Sequence, residues 1–430
     1  MKITRHRLML ALISLAFGVA FYKASVIPEP AAFQWPAMEL EQGNGAAQIS
    51  SRFVSSSQNI STHAASLIEL SDGRIRAFWF AGSREGAEDV EIRTAVLDPA
   101  SNKWGNETAI ADRHSTQQSL LRFVKKIGNP VPARLGDGTL QLFYVTVSVG
   151  GWAGSSITFM TSDDDGETWS PARRLVTSPF INISTLVKGT PFKYADGSLG
   201  LPVYHEFLGK FSELLRIAPG GDIIDKQRLS DGKLGIQPVI LIKNPEQAMI
   251  LMRHVGPAPK RVIAATTVNA GKRWNDPEKT ELANPDAAIT GVARTDGRLL
   301  VALNDTESNR EVLSLVASND GGASWQKVYT LEDQRSQTPS PASYIITAAL
   351  LARETDNSIL NPALFANTAL DNQCSGEHCR FEFSYPYMIQ AHNGEFHLVY
   401  TWNRSFIKHV RFTRAWLDQR MKANQHAQLD

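Results

Sequence analysis

The sequence predicts an all-β fold: a six-bladed β-propeller of four-stranded antiparallel blades. Three observations predict it, namely a turn motif that recurs at regular spacing, a series of six hairpin turns, and a composition typical of one large globular domain. The chain has 430 residues, of which 43% are hydrophobic and 20% charged, and its formal net charge is +1. This balance indicates neither a nucleic-acid-binding protein nor a disordered chain. A charged substrate would therefore have to be bound by a local cluster of side chains.

The recurring motif reads [Ser/Thr]-x-[Asp/Asn]-x-Gly-x-x-Trp and occurs at Ser162–Trp169, Thr267–Trp274 and Ser318–Trp325. In a tight hairpin the carboxylate or amide accepts backbone N–H groups, glycine supplies a positive φ, and tryptophan folds back over a neighbouring sheet. The last two copies are 51 residues apart, and the first two are 105 residues apart, which is about two such periods. A period of about 50 residues indicates one four-stranded blade per repeat.

Six further turns give the number of blades. Asp-Gly and Asn-Gly pairs before β-rich runs are hairpin signals, and one Pro-Glu-Gln turn fills the vacant place in the series. The six turns are Asp72-Gly73, Asp137-Gly138, Asp196-Gly197, Pro245-Glu246-Gln247, Asp296-Gly297 and Asn393-Gly394.

The N-terminus has the order of a secretory signal. Lys2, Arg5 and Arg7 precede an apolar run from Leu8 to about Tyr22, which is charged first and apolar second. We interpret residues 1–25 as a signal peptide or an N-terminal membrane anchor. The protein is then exported, either to the periplasm or held at the outer face of the inner membrane.

The remaining boundaries follow from the turns. Residues 26–59 are interpreted as a linker or surface arm, 60–415 as the propeller and 416–430 as a polar C-terminal tail. Residues 334–380 are longer than a connection between blades five and six requires, so we predict an insertion that is partly helical. It contains the only two cysteines, Cys374 and Cys379, which in an exported chain favour a small loop-closing disulfide over a metal site.

The recurring turn is the Asp-box, and over residues 61–412 the sequence resembles sialidases, most of all the bacterial BNR-repeat sialidase-like proteins. Three stretches carry the resemblance: Phe383–Gln390, Val399–Arg404 with Ile407–Val410, and Trp79–Val90. The resemblance implies a glycan-binding site in a central funnel, with Asp-box turns lying away from the chemistry.

The resemblance also implies residue roles. Tyr385 matches the tyrosine nucleophile, which suits an anomeric carbon that bears a carboxylate because a neutral phenol is not repelled. Asp89 matches the acid that protonates the leaving oxygen, with Glu85 as the second candidate on the same loop. Arginines clamp the substrate carboxylate in this family, and Arg253 and Arg310 match two of them. Arg84 lies in the stretch that resembles the arginine-bearing segment.

Two positions depart from the family pattern. His63 stands where the first clamp arginine is expected, and Gln237 stands where a glutamate would activate the tyrosine. An amide cannot accept that proton, although it can orient Tyr385 by a hydrogen bond.

Other polar residues fall where the blades would turn them toward the central funnel, several of them next to a proline that suits an innermost, edge strand. These are Asn129, Lys188, His205, Glu206 and Asn284.

The leading hypothesis is an exported, exo-acting glycoside hydrolase that removes a terminal acidic sugar from a glycan or polysaccharide. The alternatives are a polysaccharide lyase or a hydrolase for another anionic sugar, with His63 or His205 and Tyr385 as base and acid, and a non-catalytic glycan-binding propeller. No metal motif and no cofactor fingerprint occurs in the sequence, so we expect neither a metal nor a cofactor. The expected partner is a glycan, and membrane attachment would run through the N-terminal segment.

Overall fold

The computed structural model describes residues 2–25, 28–35, 46–56, 60–98, 100–178, 182–230, 234–335, 338–353, 355 and 361–426. Within them, six antiparallel sheets stand around a common centre, which confirms the predicted six-bladed β-propeller. Four blades have four strands each, and blades one and three have an additional short strand. Each blade packs against the next along the chain and the sixth packs against the first, so the ring is closed.

The N-terminal part contains helix α1 (Lys2–Ser25) and strand β1 (Ile49–Phe53). Blades one to three contain β2 (Ser61–Glu69), β3 (Ile75–Gly82), β4 (Glu91–Asp98), β5 (Lys103–Trp104), β6 (Thr108–Asp112), β7 (Lys126–Arg134), β8 (Leu140–Val147), β9 (Ser155–Ser162), β10 (Arg173–Arg174), β11 (Leu186–Val187), β12 (Phe192–Lys193), β13 (Leu199–His205), β14 (Phe211–Ile217) and β15 (Ile223–Arg228). Helix α2 (Arg113–Leu120) joins blades one and two.

Blades four to six contain β16 (Gly235–Ile242), β17 (Ala248–His254), β18 (Arg261–Thr267), β19 (Glu278–Ala283), β20 (Thr290–Ala293), β21 (Leu299–Leu303), β22 (Val312–Ser318), β23 (Gln326–Asp333), β26 (Phe383–Gln390), β27 (Phe396–Trp402) and β28 (Phe406–Phe412). Between blades five and six lie helices α3 (Pro341–Arg353) and α4 (Pro362–Gln373) and a small hairpin of β24 (Cys374–Ser375) and β25 (His378–Cys379). Helix α5 (Arg414–His426) follows the last strand.

The six predicted turns each join the first long pair of strands in a blade. In five of them the Asp or Asn side chain accepts the backbone N–H two residues later, as Asp72 does from Arg74 at 3.0 Å. In the sixth, Asn244 accepts from the backbone N–H groups of Glu246 and Gln247. The local turn chemistry therefore determines where each blade folds back.

The three Asp-box turns join the third and fourth strands of blades two, four and five. In the first, Ser162 Oγ accepts the N–H of Gly166 at 2.7 Å and Asp164 accepts that of Thr168 at 2.9 Å. Trp169 packs edge-on against Phe78 of blade one at 5.9 Å between ring centroids. Since strands alternate in direction, these turns lie on the same face as the six hairpin turns, and the remaining loops lie on the opposite face.

Strand β1 corrects one predicted boundary. Residues 26–59 were predicted as a linker or arm, but Ile49–Phe53 pair with β28 as the outermost strand of blade six. The propeller therefore begins at Ile49 rather than at residue 60. Residues 28–35 do form an arm: the N–H of Phe33 donates to Pro245 O at 2.8 Å, and its ring stacks on Tyr194 at 5.5 Å.

Helix α5 corrects the predicted C-terminal tail. Trp416, Leu417 and Met421 are buried against blades five and six. Asp418 accepts a hydrogen bond from Arg294 at 3.0 Å. The spacing of Leu417 and Met421 places both on one face of the helix, so the predicted tail is packed as far as Met421, while residues 427–430 lie outside the described residues.

The segment between blades five and six is helical in part, and Cys374 is bonded to Cys379. It packs on blade six through stacked rings of Phe365 and Phe406, 3.7 Å apart. This packing fixes the segment beside the loops of the last blade.

Helix α1 is long and apolar enough to cross a membrane. The stretch Arg5–Tyr22 has a mean hydropathy of 1.2, and its side chains are exposed. A secretory signal passes the same test of length and composition, so the role of residues 1–25 stays a prediction.

Candidate active site

One residue per blade adopts left-handed backbone angles at or just before the innermost strand. The φ values lie between 48° and 61°, a region that residues other than glycine rarely enter. The six residues are Ala64, Asn129, Ser184, Gln237, Asp286 and Tyr385. In four blades the strand register shifts at this residue, so each of these strands bulges at the same level. Backbone strain of this kind clusters at functional sites, and here it occurs at this position in every blade.

Arg253 connects three of these six residues. Its Nη1 donates to the phenol oxygen of Tyr385 at 3.3 Å and to Gln237 Oε1 at 3.1 Å, and its Nε donates to Asp286 Oδ1 at 2.6 Å. Burial opposes the charge of Arg253, but Tyr385 and Asp286 raise its pKa above the ordinary value. The structure thus brings the predicted nucleophile, clamp arginine and glutamine together, and a guanidinium is the direct partner of the phenol.

Gln237 is held in one orientation. Its Oε1 accepts from Arg253 and its Nε2 donates to the hydroxyl of Tyr204 at 3.2 Å. Burial raises the pKa of Tyr204 well above its ordinary value, and nearby Tyr385 and Glu206 add to the effect. The amide therefore positions Arg253, while Tyr204 stays a neutral phenol.

Arg310 also lies near Tyr385 and shares a carboxylate with a second arginine. Its guanidinium is 5.9 Å from the Tyr385 ring centroid, and its Nη1 donates to Glu382 Oε1 at 3.3 Å. Arg404 Nε donates to Glu382 Oε2 at 2.8 Å. Burial alone would raise the pKa of Glu382, but Arg404 and Arg310 hold it down at about 2. This carboxylate is ionised throughout the physiological range.

Glu382, Arg404 and Asp286 were not predicted from the sequence as site residues. Glu382 directly precedes one stretch that carries the sialidase resemblance, and Arg404 ends another. The signal available in the sequence was that both are charged residues at the edge of a stretch that resembles sialidases.

His63 lies against the nucleophile candidate. The rings of His63 and Tyr385 are 4.3 Å apart, and His63 Nε2 is 4.0 Å from Glu85 Oε2. Burial lowers the pKa of His63 to about 4, so the imidazole is neutral at pH 7 and does not replace the charge of an arginine. Glu85 is thereby placed at the edge of the cluster.

Lys188 is buried against two tyrosines of β26, and its Nζ donates to Pro386 O at 3.4 Å. Its Nζ is 5.0 Å from the centroid of Tyr387 and 5.9 Å from that of Tyr385. Burial lowers its pKa to about 7. Burial raises the pKa of Glu206, while Lys210 and Arg253 oppose the rise.

The other predicted residues lie outside this cluster or at its margin. Asp89 accepts from the N–H and hydroxyl of Ser83, both at 2.9 Å, and so closes its own loop, on which Arg84 is exposed. Asn129 is one of the six left-handed residues and is 8% exposed.

Two predicted substrate-binding residues have structural contacts instead. His205 Nε2 accepts the N–H of Leu208 at 2.9 Å and the ring stacks on Phe211. Asn284 Oδ1 accepts the N–H of His254 at 3.1 Å, and its Nδ2 donates to Ala287 O at 2.9 Å. These bonds hold loops, and the structure does not bring His205 or Asn284 into contact with Tyr385.

The cluster combines a phenol that is hydrogen-bonded to a guanidinium, further arginines that can bind an anion, and the partly exposed carboxyl group of Glu85. This set suits nucleophilic substitution on an acidic sugar. Among the described residues, no group of three or more His, Cys, Asp or Glu is placed to hold a metal ion.

Solved structures with the same fold include several sialidases. The Hadza microbial sialidase Hz136 is 13% identical with a TM-score of 0.59, and the alignment covers 82% of this chain and 66% of that one, just under two thirds of its length. The Trypanosoma rangeli sialidase is 12% identical with a TM-score of 0.58, covering 89% of this chain and 62% of that one. A protein of unknown function from Dyadobacter fermentans is 12% identical with a TM-score of 0.59, covering 85% and 98%.

At these identities the likeness concerns the fold. Among curated proteins, no sequence matches this chain. A family model described as a BNR repeat-like domain matches residues 73–398, most of the propeller. This chain therefore belongs to the BNR repeat-like family.

Proposed function

We propose that this protein is an exo-acting glycoside hydrolase of the sialidase type, which removes a terminal acidic sugar from a glycan or polysaccharide. The observation that carries the proposal is the hydrogen bond from Arg253 to the phenol oxygen of Tyr385. This bond places a fixed positive charge beside the phenol oxygen, where it would stabilise negative charge that develops during the reaction.

In the proposed reaction the phenol proton leaves to solvent and the Tyr385 oxygen attacks the anomeric carbon. The bond to the leaving oxygen breaks, and Glu85 donates the proton that this oxygen takes up. Water then attacks the same carbon, gives a proton back to Glu85 and releases Tyr385. Guanidinium groups beside Tyr385 bind the carboxylate of the sugar.

Glu85 ranks ahead of Asp89 as the acid in this proposal. Both oxygens of Asp89 are bound to Ser83. Glu85 faces His63 with a side chain that is 33% exposed. A general acid must be able to reach the leaving group, and Glu85 is free to do so.

A non-catalytic glycan-binding propeller is the second candidate, and Gln237 favours it. The amide is bound to Arg253 and Tyr204 and cannot accept the phenol proton as a glutamate would. In this alternative the same funnel binds an acidic sugar and leaves it intact.

The test is release of sugar from α-sialosides and uronic acid glycosides by the purified protein and by Tyr385→Phe. We expect the wild type to release sugar, Tyr385→Phe to lose at least about a thousandfold in rate, and a fluorinated sialosyl donor to label Tyr385 covalently. Tyr194→Phe, which alters a buried tyrosine on the opposite face, is the control.

Three other outcomes separate the alternatives. Binding without release from any of these substrates supports the non-catalytic propeller. A product that absorbs as an unsaturated uronate supports a lyase. Full activity in Tyr385→Phe would refute the assignment of the nucleophile.

We also propose that residues 1–25 export the protein, as a cleaved signal or as an anchor that leaves the propeller outside the inner membrane. Cell fractionation with N-terminal sequencing tests this. A propeller recovered from the cytosol with residues 1–25 intact would contradict it.

A further inference from the structure

We propose that Arg404, supplied by the turn between β27 and β28, is a substrate-binding arginine that with Arg310 forms a two-guanidinium site for the carboxylate of the sugar. This inference rests on the proposed function. It also identifies the carboxylate as the part of the sugar that the site recognises.

The backbone of the turn gives the first argument. Asn403 and Arg404 have φ values of 49° and 53°, and the N–H of Ser405 donates to Trp402 O at 3.1 Å. A turn with two left-handed central residues is of type I′, for which Asn-Gly is the favoured pair. An arginine here costs backbone strain that glycine would avoid. We therefore expect the Arg404 side chain to have a function that outweighs this strain.

The position of the turn gives the second argument. Arg404 O accepts the N–H of Thr62 at 2.9 Å, which places the turn beside His63. The family pattern has its first clamp arginine on that strand, and His63 is neutral at pH 7. The positive charge that His63 does not supply on blade one is therefore supplied by Arg404 on blade six.

Glu382 fixes the direction of the guanidinium. Asn403 N–H donates to Glu382 O at 2.7 Å, and Glu382 N–H donates to Asn403 Oδ1 at 2.9 Å. The carboxylate then binds Arg404 through Nε and Arg310 through Nη1. Both Nη groups of Arg404 stay available for a ligand, and 41% of its side chain is exposed. Two arginines that share one carboxylate keep a net positive charge for a second carboxylate.

The surroundings agree with a ligand site. Arg310, which shares Glu382 with Arg404, has its guanidinium 5.9 Å from the Tyr385 ring centroid. The two arginines therefore lie beside the proposed nucleophile. Burial would lower the pKa of Arg404, but Glu382, Glu85 and Tyr385 raise it above the ordinary value. A sugar with its anomeric carbon at Tyr385 would have its carboxylate, attached to the same carbon, within reach of Arg404.

The test compares binding of the α-methyl glycoside of N-acetylneuraminic acid with binding of its C1 methyl ester, by calorimetry on the full chain. We expect the wild type to prefer the acid and Arg404→Gly to reduce that preference by about 10- to 100-fold. Glycine suits the turn, so the variant should fold. Arg404→Lys, which keeps the charge and loses the fork, should fall between the two. Arg335→Gln, which removes an exposed arginine elsewhere, should bind like the wild type.

The outcomes separate this inference from the proposed function. If Arg404→Gly keeps the preference for the acid, Arg404 is not a carboxylate-binding residue, while the proposed function stands. If the wild type binds acid and ester equally, both are overturned. If it binds neither, this inference is overturned, and the proposed function then depends on release of sugar from uronic acid glycosides. A structural role for Arg404 would change unfolding without changing the ratio of the two affinities.

Discussion

Replacing Glu382 by glutamine tests how much the ion pairs of Glu382 with Arg310 and Arg404 stabilise the fold. Glu382 is buried, with 14% of its side chain exposed, and binds Arg310 and Arg404. Its pKa falls from 4.5 to about 2 in the folded protein, which corresponds to about 3 kcal/mol of folding stability. Glutamine keeps the shape of the side chain and loses the charge. We therefore expect the free energy of unfolding of Glu382→Gln at pH 7 to be about 3 kcal/mol lower than that of the wild type.

The direction of the pKa shift determines how the stabilisation by Glu382 depends on pH. The folded pKa lies below the unfolded one, so the stabilisation is complete above about pH 4.5 and is lost as the pH falls toward about 2. Urea denaturation of wild type and variant at about pH 7 and about pH 3 measures the difference at both ends.

Glu88→Gln serves as the matched control. Glu88 pairs with Arg113 at 3.0 Å, but its side chain is 74% exposed, and exposed ion pairs contribute about 0–1 kcal/mol. A loss in Glu382→Gln as small as in this control, or a loss that is equal at both pH values, would refute the reasoning.

Two further predictions concern a buried charge and the closure of the ring. Burial lowers the pKa of Lys188 from 10.5 to about 7. The buried lysine therefore destabilises the fold fully below about pH 7, and this destabilisation decreases as the pH rises toward about 10.5. Lys188→Met should gain up to about 5 kcal/mol at about pH 6 and less at about pH 9.5 in urea denaturation, and an equal gain at both would contradict this. Phe53→Ala should lose about 3–5 kcal/mol, because its ring lies 4.7 Å from Phe365 and 5.3 Å from Trp402. Ser51→Ala on the same strand is its control, and a similar loss in both would show that the aromatic contacts do not close blade six.

The number of blades could be predicted because it depends on local chemistry. Each Asp-Gly or Asp-box turn is specified by residues within eight positions of one another, as in Ser162–Trp169. Strand β1 could not be predicted in this way, because its partner β28 is more than 350 residues away and Ile49–Phe53 has no turn signal of its own. Helix α5 was missed because its polar composition hid the apolar face that Leu417 and Met421 form.

The resemblance to sialidases named several residues that the structure places in contact, and their roles stay predictions. Tyr385, Arg253 and Gln237 lie in one hydrogen-bonded cluster, with Arg310 and His63 against the Tyr385 ring. The paired contact of Glu382 with Arg310 and Arg404 joins separate segments of the chain, and the sequence contains no spacing that predicts it. His205 and Asn284 have the right residue types, but their polar atoms hold nearby loops.

The most direct test of the central claim is a crystal structure of the protein with 2-deoxy-2,3-dehydro-N-acetylneuraminic acid, an unsaturated analogue with a flattened ring. We predict that its carboxylate lies within about 3 Å of the guanidinium groups beside Tyr385 and that its C2 atom faces the Tyr385 oxygen. A ligand bound elsewhere on the propeller, or a funnel that stays empty at saturating concentration, would contradict the account.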